Sequence, residues 1–228
     1  MLDTVSLSST PRSTLTRHRE RGRTDRADLY AVLDAGLICH LTLVRDGAPV
    51  ALPTGYGRID DTVYLHGSTG AGYLRAIDGA PICLTVTHLD GIVYARSVFQ
   101  HSMNYHSAVV HGIARHVADP DEKWAALEAI VEQLAPGSWT YTRQPDRREL
   151  AATTVIALSL AEASVKVRSG PPSDDAEGVA AGGRWAGVLP VHSVFGAPES
   201  CPTVPVGEPV PDHVTKREHP RLGRRSAE

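Results

Sequence analysis

The feature that most limits the fold is a series of short segments in which apolar and polar residues alternate, separated by turn sequences. Alternation with a period of two is typical of strands that are buried on one face. Asp46-Gly47 and Asp90-Gly91 each separate two such segments, and Asp-Gly is a strong signal for a two-residue hairpin turn. The strand candidates are 37–44, 48–59, 62–67, 81–88, 91–98, 104–117, 153–160 and 163–169.

Helical patterns are confined to a few places. The segment 120–134 follows Asp119 as an N-cap, starts with Pro120 and carries one apolar stripe, which together predict a helix. Another helix is expected over 25–33, and short helices are expected near 73–77 and 147–152. Many short strands with one substantial helix predict a mainly β fold, a barrel or sandwich with peripheral helices.

Composition limits the partners and the location that we expect. The chain has 228 residues and 42% hydrophobic content, enough for one substantial core. Its net charge of -3 gives no basic excess for nucleic acid, and no apolar run approaches the ~20 residues that span a membrane. The first residues lack the apolar centre of a signal peptide. We therefore expect a cytoplasmic protein with no nucleic-acid or membrane partner, a flexible arm at 1–21, one domain at 22–196 and a flexible tail at 197–228.

Four histidines recur every five residues, at 101, 106, 111 and 116, and such a series suggests a metal or haem site. A spacing of five puts neighbouring histidines on opposite faces of a strand, and it also separates them around a helix. The series by itself therefore predicts no metal site. Haem ligation stays open as an alternative, because one of these histidines could meet a histidine from another part of the chain.

The stretch YLHGSTGAGYLRAI (64–77) leads from a strand candidate through a glycine-rich turn into a short helix. It matches neither the P-loop nor the dinucleotide-binding motif. Glycines allow backbone N–H groups to approach an anion, Ser68 and Thr69 add hydroxyl groups, and Arg75 adds a guanidinium. The turn is therefore a candidate phosphate-binding segment.

A resemblance to a known family rests on several segments that occur in a characteristic order. They are RGRTDRADLYAVLDAGLICHLTLV, PVALPTGYG, DTVYLHGS, GYLRA, HSMNYHSAVVHGIARHV, ELAATTVIALSL, ASVKVRSGPP and WAGVLP. With them the chain resembles the FMN-binding split-barrel proteins of the pyridoxamine 5'-phosphate oxidase family, and most of all the nitroimidazole-resistance (Nim-type) branch. The resemblance implies a six-stranded antiparallel split β-barrel and a homodimer with FMN at the subunit interface.

The same resemblance implies roles for individual residues. His66 matches the position of a Nim-type histidine near a bound small molecule, and it is the catalytic candidate. Lys166 and Trp185 match residues that often approach the site from the partner subunit. The implied cofactor-binding residues are Pro53, Thr54, Gly55, Tyr56, Leu65, His66, Gly67, Ser68, Thr69, Arg75, His106, Ser107, Lys166 and Trp185.

One departure from the family bears on the cofactor. Many members carry a basic cluster directly after the glycine turn, whereas here Arg75 is the nearby cation. FMN is therefore expected to bind weakly, or a deazaflavin replaces it. The leading expectation is an oxidoreductase that passes electrons from a reduced nicotinamide to a small acceptor such as a nitro-aromatic. The alternatives are a non-enzymatic protein that binds a flavin, a deazaflavin or a small carboxylate, and a haem-binding split barrel.

Overall fold

The computed structural model describes residues 6–7, 10–220 and 222, and strands dominate this part of the chain. The strands are β1 (Gly22–Arg23), β2 (Cys39–Arg45), β3 (Ala48–Thr54), β4 (Gly57–Ile59), β5 (Thr62–Ser68), β6 (Pro81–Tyr94), β7 (Ser102–Ile113), β8 (Arg115–His116), β9 (Thr153–Ser159), β10 (Glu162–Arg168) and β11 (Gly187–Pro190). The helices are α1 (Arg26–Ala35), α2 (Gly72–Ala76), α3 (Pro120–Leu134), α4 (Ser138–Tyr141), α5 (Arg147–Ala152), α6 (Ala176–Ala181) and α7 (Asp212–Thr215).

The strands form two antiparallel sheets. The larger sheet has the order β1-β10-β7-β6-β2-β3, with β11 pairing to β6, and the smaller has the order β4-β5-β9-β8. The prediction of a mainly β, antiparallel split-barrel fold with peripheral helices is confirmed. Seven of the strands are seven residues or longer, and the other four, β1, β4, β8 and β11, are only two to four residues long.

The two Asp-Gly pairs have different structures. Asp46 and Gly47 both have positive φ and connect β2 to β3, so the first predicted hairpin is confirmed. The second prediction is wrong, because β6 runs through Asp90-Gly91 as one strand with a bulge between Leu89 and Gly91. A Cβ at Gly91 would lie 2.8 Å from Val188 Cγ1, so this glycine permits the close approach of β11.

Two apolar cores lie on the two sides of the smaller sheet. The main core fills the space between the sheets and includes the buried face of α1. The second core lies under α3, where Leu127 and Ile130 pack against Tyr64 and Val155. Helix α3 begins as expected, since the Asp119 side chain accepts a hydrogen bond from Glu122 N at 2.8 Å.

The carboxyl end of α1 is fixed by side chains from other elements. Tyr56 Oη donates to Leu33 O, and His88 Nε2 donates to Val32 O at 3.0 Å. Gln133 Nε2, from α3, donates to three carbonyls at the same helix end, with distances between 2.7 and 3.2 Å. Carbonyls that a helix leaves without partners are thereby satisfied. These contacts connect α1, α3 and the segment around Tyr56.

Both terminal segments contact the barrel where they are described. Leu7 is buried against the main core, and Arg12 forms an ion pair with Glu162 at 2.6 Å. Near the other end, His213 stacks on Tyr141 with ring centroids 4.9 Å apart. The expected domain limits remain predictions. Within the described residues, every helix is too short or too polar to cross a membrane.

Candidate functional site

The segment from Pro53 to Tyr56 leaves the edge strand β3 and enters β4. Pro53 is exposed, Thr54 and Gly55 are half-buried, and Tyr56 is 1% exposed. Burial raises the pKa of the Tyr56 hydroxyl, which is hydrogen-bonded to the end of α1. A Cβ added at Gly55 would meet nothing within 4 Å. The segment therefore offers an open backbone surface at Gly55, while the Tyr56 side chain is anchored in the core.

The second predicted segment, Leu65 to Thr69, forms the end of β5 and the start of the glycine turn. Leu65 is buried in the main core, and a Cβ at Gly67 would lie 2.4 Å from Leu74 Cδ1, so glycine lets α2 pack closely. The exposed Ser68 hydroxyl accepts a hydrogen bond from the backbone N–H of Gly70 at 3.1 Å. Thr69 N donates to Ala152 O, which connects the turn to α5. The Arg75 side chain lies outside the described part of the structure, and its role stays a prediction.

His66 belongs to the second segment and lies on β5. The β4–β5 pairing sets Gly57 opposite Tyr64, so its register carries Gly55 toward His66. The side chain is accessible to solvent, yet desolvation by the surrounding protein lowers the pKa of the ring. Its ring makes no hydrogen bond to any described residue. His66 is therefore a neutral, accessible imidazole, the state in which a histidine can bind a metal ion or a ligand donor.

His106 and Ser107 were expected to contact the flavin together, but they lie on opposite faces of β7. His106 points inward, and its Nδ1 lies 2.7 Å from the Asp90 carboxylate, with side-chain exposures of 17% and 34%. Ser107 points outward, and its hydroxyl lies 3.4 Å from Lys166 O. Period-two alternation along a strand causes this separation. One flat ligand on one face of β7 can contact only one of the two side chains.

Lys166 and Trp185 lie apart from the segments around Gly55 and His66. Lys166 is on β10, and β7, β6 and β2 lie between β10 and β3 in the larger sheet. Trp185 is 70% exposed and packs against Tyr94, with ring centroids 5.9 Å apart. A single chain therefore brings together 53–56 and 65–69 but leaves these two residues at a distance.

Most histidines of the five-residue series have structural hydrogen bonds. His116 Nε2 donates to Leu74 O at 3.0 Å, and His101 Nδ1 accepts a hydrogen bond from Ala95 N at 3.0 Å. Across residues 10–220, no group of three or more His, Cys, Asp or Glu side chains is arranged to hold a metal ion. Sequence reasoning missed the Asp90 contact to His106. The Asp90-Gly91 pair was its only local signal, and that pair predicted a turn instead.

Comparisons with known proteins identify the family of the chain. A sequence profile of the family described as pyridoxamine 5'-phosphate oxidase matches residues 25–167. The FAD and haem binding protein from Mycobacterium smegmatis is 42% identical, with a TM-score of 0.83, over 87% of this chain and 98% of that chain. The flavocytochrome Anf3 from Azotobacter vinelandii is 37% identical, with a TM-score of 0.87, over 95% of this chain and 100% of that chain.

Two further comparisons give less information about the family. A Bacteroides thetaiotaomicron protein described as related to 5-nitroimidazole antibiotic resistance is 21% identical, with a TM-score of 0.50, over 64% of this chain and 86% of that chain. This similarity concerns the fold alone. No curated protein sequence matches the chain. The profile match and the two highly similar structures confirm the expected family, and the chain belongs to the pyridoxamine 5'-phosphate oxidase family of split-barrel proteins.

Proposed function

We propose that this protein is a flavocytochrome, which binds a flavin and a haem and passes electrons through them to a small acceptor. The observation that carries the proposal is similarity over nearly the whole length to two proteins whose names state these cofactors, at 42% and 37% identity. In both cases the match covers almost all of the other chain, so it includes the segments that surround the flavin and haem candidates. A flavin and a haem supply the electron chemistry, and the protein binds and orients them.

The residues around the open segment fit a flavin. The accessible backbone at Gly55 can lie against a planar ring, because no described atom is within 4 Å of the position of a Cβ there. The Ser68 hydroxyl and the exposed glycines of the following turn can approach a phosphate. Pro53, Thr54 and Tyr56 would contribute backbone groups to the ring. Leu65 and Gly67 would keep β5 packed on the core.

FAD replaces the FMN expected from the family in this proposal, because the similar protein from Mycobacterium smegmatis is named as binding FAD. FMN ends in a phosphate monoester, which carries between one and two negative charges at neutral pH. The FAD diphosphate carries one negative charge on each of its two phosphorus groups, so both flavins present a similar total charge to the glycine turn. Between residues 68 and 77 the sequence contains Arg75 as its one basic residue. A deazaflavin remains an alternative ligand for the same segment.

His66 would hold the haem iron. Its ring has no hydrogen-bond partner among the described residues, and its lowered pKa keeps the imidazole neutral at pH 7. His106 is the second candidate, because Asp90 accepts a hydrogen bond from Nδ1–H and leaves Nε2 free, as metal-binding histidines commonly require. His88, by contrast, uses Nε2 to donate to Val32 O.

The homodimer remains part of the proposal. Exposed apolar residues lie on the larger sheet, including Val44, Met103 and Ile113, at 69%, 51% and 59% exposure. Apolar surface of this kind supports an interface with a second copy. The distance between Lys166 and Gly55 supports a site that two chains complete, with Lys166 and Trp185 reaching the flavin of the partner subunit. Reduced nicotinamide as donor and a small electrophile as acceptor complete the proposed reaction.

Spectra and cofactor extraction test the cofactors directly. We expect purified protein to show both flavin and Soret absorption, and denaturation should release FAD rather than FMN. The variant His66→Ala should lose most of the Soret band and keep the flavin. The matched control is His40→Ala, which removes an exposed histidine from β2. Release of FMN would overturn the assignment of FAD. An unchanged Soret band in His66→Ala would overturn the assignment of His66 and favour His106 or another histidine as the residue that holds the haem.

A second experiment separates an enzyme from a passive carrier. Adding reduced nicotinamide without oxygen should bleach the flavin band and then shift the haem to its reduced spectrum. If both cofactors bind but neither is reduced, the non-enzymatic alternative gains support. A preparation that takes up neither added flavin nor added haem would overturn the whole proposal.

A further inference from the structure

A second concave site lies at the edge of the larger sheet, away from the segments assigned to the flavin. The N-terminal segment and β10 enclose a cavity of about 210 Å³. None of the described residues that line this cavity belongs to 53–56 or 65–69, so the cavity is distinct from the open surface at Gly55. Its lining residues are Leu7, Ser13, Thr14, Leu15, Arg19, Gly22, Arg23, Thr24, Ala163, Ser164 and Val165.

The polar part of this cavity is basic. Among the described residues, Arg19 and Arg23 are its charged lining residues, and none of its lining residues carries a carboxylate. Arg23 Nη1 donates to Gly22 O at 3.0 Å, which holds this guanidinium in place and leaves its other N–H groups available. The Arg19 guanidinium makes no hydrogen bond or ion pair with any described residue. Two guanidinium groups at one cavity are suited to an oxyanion, because each can donate two parallel hydrogen bonds.

The nearest acids of these segments are engaged elsewhere. Glu20 lies within 3.1 Å of His18 and 3.7 Å of Arg21. Glu162 binds Arg12, and this contact lowers the pKa of the carboxyl group to about 2. The two cavity arginines therefore keep their charge without a carboxylate partner among the described residues.

Two further positive charges on β10 increase the positive electrostatic potential at this edge of the sheet. Lys166 lies opposite Gly22 in the β1–β10 ladder, and Arg168 follows two residues later. Burial lowers the pKa of Arg168, and repulsion from Arg21 adds to this effect. A chain whose net charge is -3 thus concentrates positive charge at one sheet edge, which would attract an anion.

The site is formed by ordered backbone and has an apolar side. His18 has a φ of 56°, a left-handed conformation that is uncommon for a residue other than glycine. Leu7 N donates to Thr24 O at 2.8 Å and holds the N-terminal segment against the start of α1. Leu7, Leu15 and Val165 supply apolar lining opposite the arginines. A preformed pocket reduces the entropy that a ligand must lose on binding.

We propose that this cavity binds a small carboxylate with an apolar body, with Arg19 and Arg23 on the carboxylate and Leu7, Leu15 and Val165 against the body. At about 30 Å³ per water-sized group, a volume of about 210 Å³ corresponds to about seven such groups, close to the size of a small aromatic carboxylate. Benzoate has this size and chemistry and is a suitable probe. Inorganic phosphate is the comparison, because it offers the charge without the apolar body.

Calorimetric titration of the full-length protein with its cofactors tests the site. Benzoate should bind more tightly than phosphate, and Arg23→Gln should weaken benzoate binding about tenfold, the loss of one charge-assisted contact. Ser164→Leu should weaken it similarly by filling the cavity. The control Arg17→Ser removes an exposed arginine that does not line the cavity, and it should change the affinity less than about twofold.

The following binding results would contradict the proposal. No benzoate binding at millimolar concentration, or tighter binding of phosphate, would overturn the carboxylate assignment. Equal losses of benzoate affinity in Arg17→Ser and Arg23→Gln would show that general surface charge, and not the cavity, causes the effect. Flavin and haem absorption is recorded for every variant and should not change. A protein that binds benzoate but lacks both cofactors would contradict only the proposed function.

Discussion

Gly55, in the segment assigned to the flavin, and Gly57, which follows that segment in β4, should respond differently to alanine. A Cβ at Gly57 would lie 2.5 Å from Ala129 C and from Ile130 N, both in the backbone of α3. Ordinary contacts of this kind exceed about 3.4 Å, so α3 must move about 1 Å from β4. Backbone cannot rotate away as a side chain can, and overpacking typically costs about 1–3 kcal/mol. We expect Gly57→Ala to lose about 3 kcal/mol of unfolding free energy.

Gly55 is the matched control two residues earlier. A Cβ there meets nothing within 4 Å, and the glycine does not have the positive φ that disfavours alanine. Gly55→Ala should therefore change the stability of the cofactor-free protein by less than about 1 kcal/mol. If the flavin ring lies on this backbone, the new methyl group would hold it away. We expect the dissociation constant for flavin to rise about tenfold, which corresponds to about 1.4 kcal/mol.

Thermal and urea unfolding of the cofactor-free proteins measure the first effect, and flavin titration measures the second. For a chain of this size, 3 kcal/mol corresponds to a fall in Tm of about 6–12 °C. Unfolding free energy of Gly57→Ala within about 0.5 kcal/mol of wild type would refute the close approach of α3 to β4. Unchanged flavin affinity in Gly55→Ala would refute the assignment of this backbone to the ring.

Three further predictions concern contacts outside that segment. Gln133→Leu removes the donor that serves three carbonyls at the end of α1, so urea unfolding should show a loss of about 2–3 kcal/mol. Hydrogen bonding to Arg12 lowers the pKa of Glu162 from 4.5 to about 2, so the contact stabilises the protein above pH 4.5 and is lost as the pH falls through 2. The urea midpoint of Glu162→Gln should accordingly be lower than that of wild type at pH 6, and the difference should disappear near pH 2. A Cβ at Gly187 would lie 2.7 Å from the Trp185 ring, so Gly187→Ala should shift the tryptophan fluorescence without unfolding the protein, whereas an identical spectrum would contradict this packing.

Local sequence signals determined the parts of the fold that depend on a few adjacent residues. The Asp46-Gly47 turn needs two residues with positive φ, and Asp119 with Pro120 provides the start of α3. The order of family segments was likewise readable, and it led to the split barrel and to the flavin segments. For the turn and the start of α3, the signal and the structure that it specifies lie within a few residues of each other.

Tertiary contacts decided what local signals could not. Asp90-Gly91 has the sequence of a turn but lies inside β6, because pairing with β7 and β11 on both sides holds the strand extended around a bulge. The same pairing directs His106 inward to Asp90 and Ser107 outward, a division that depends on which face of the strand the core covers. The basic cavity at β10 likewise forms only when residues far apart in the chain are brought together. Local propensity is worth a few tenths of a kcal/mol per residue, and the burial and pairing of a whole strand outweigh it.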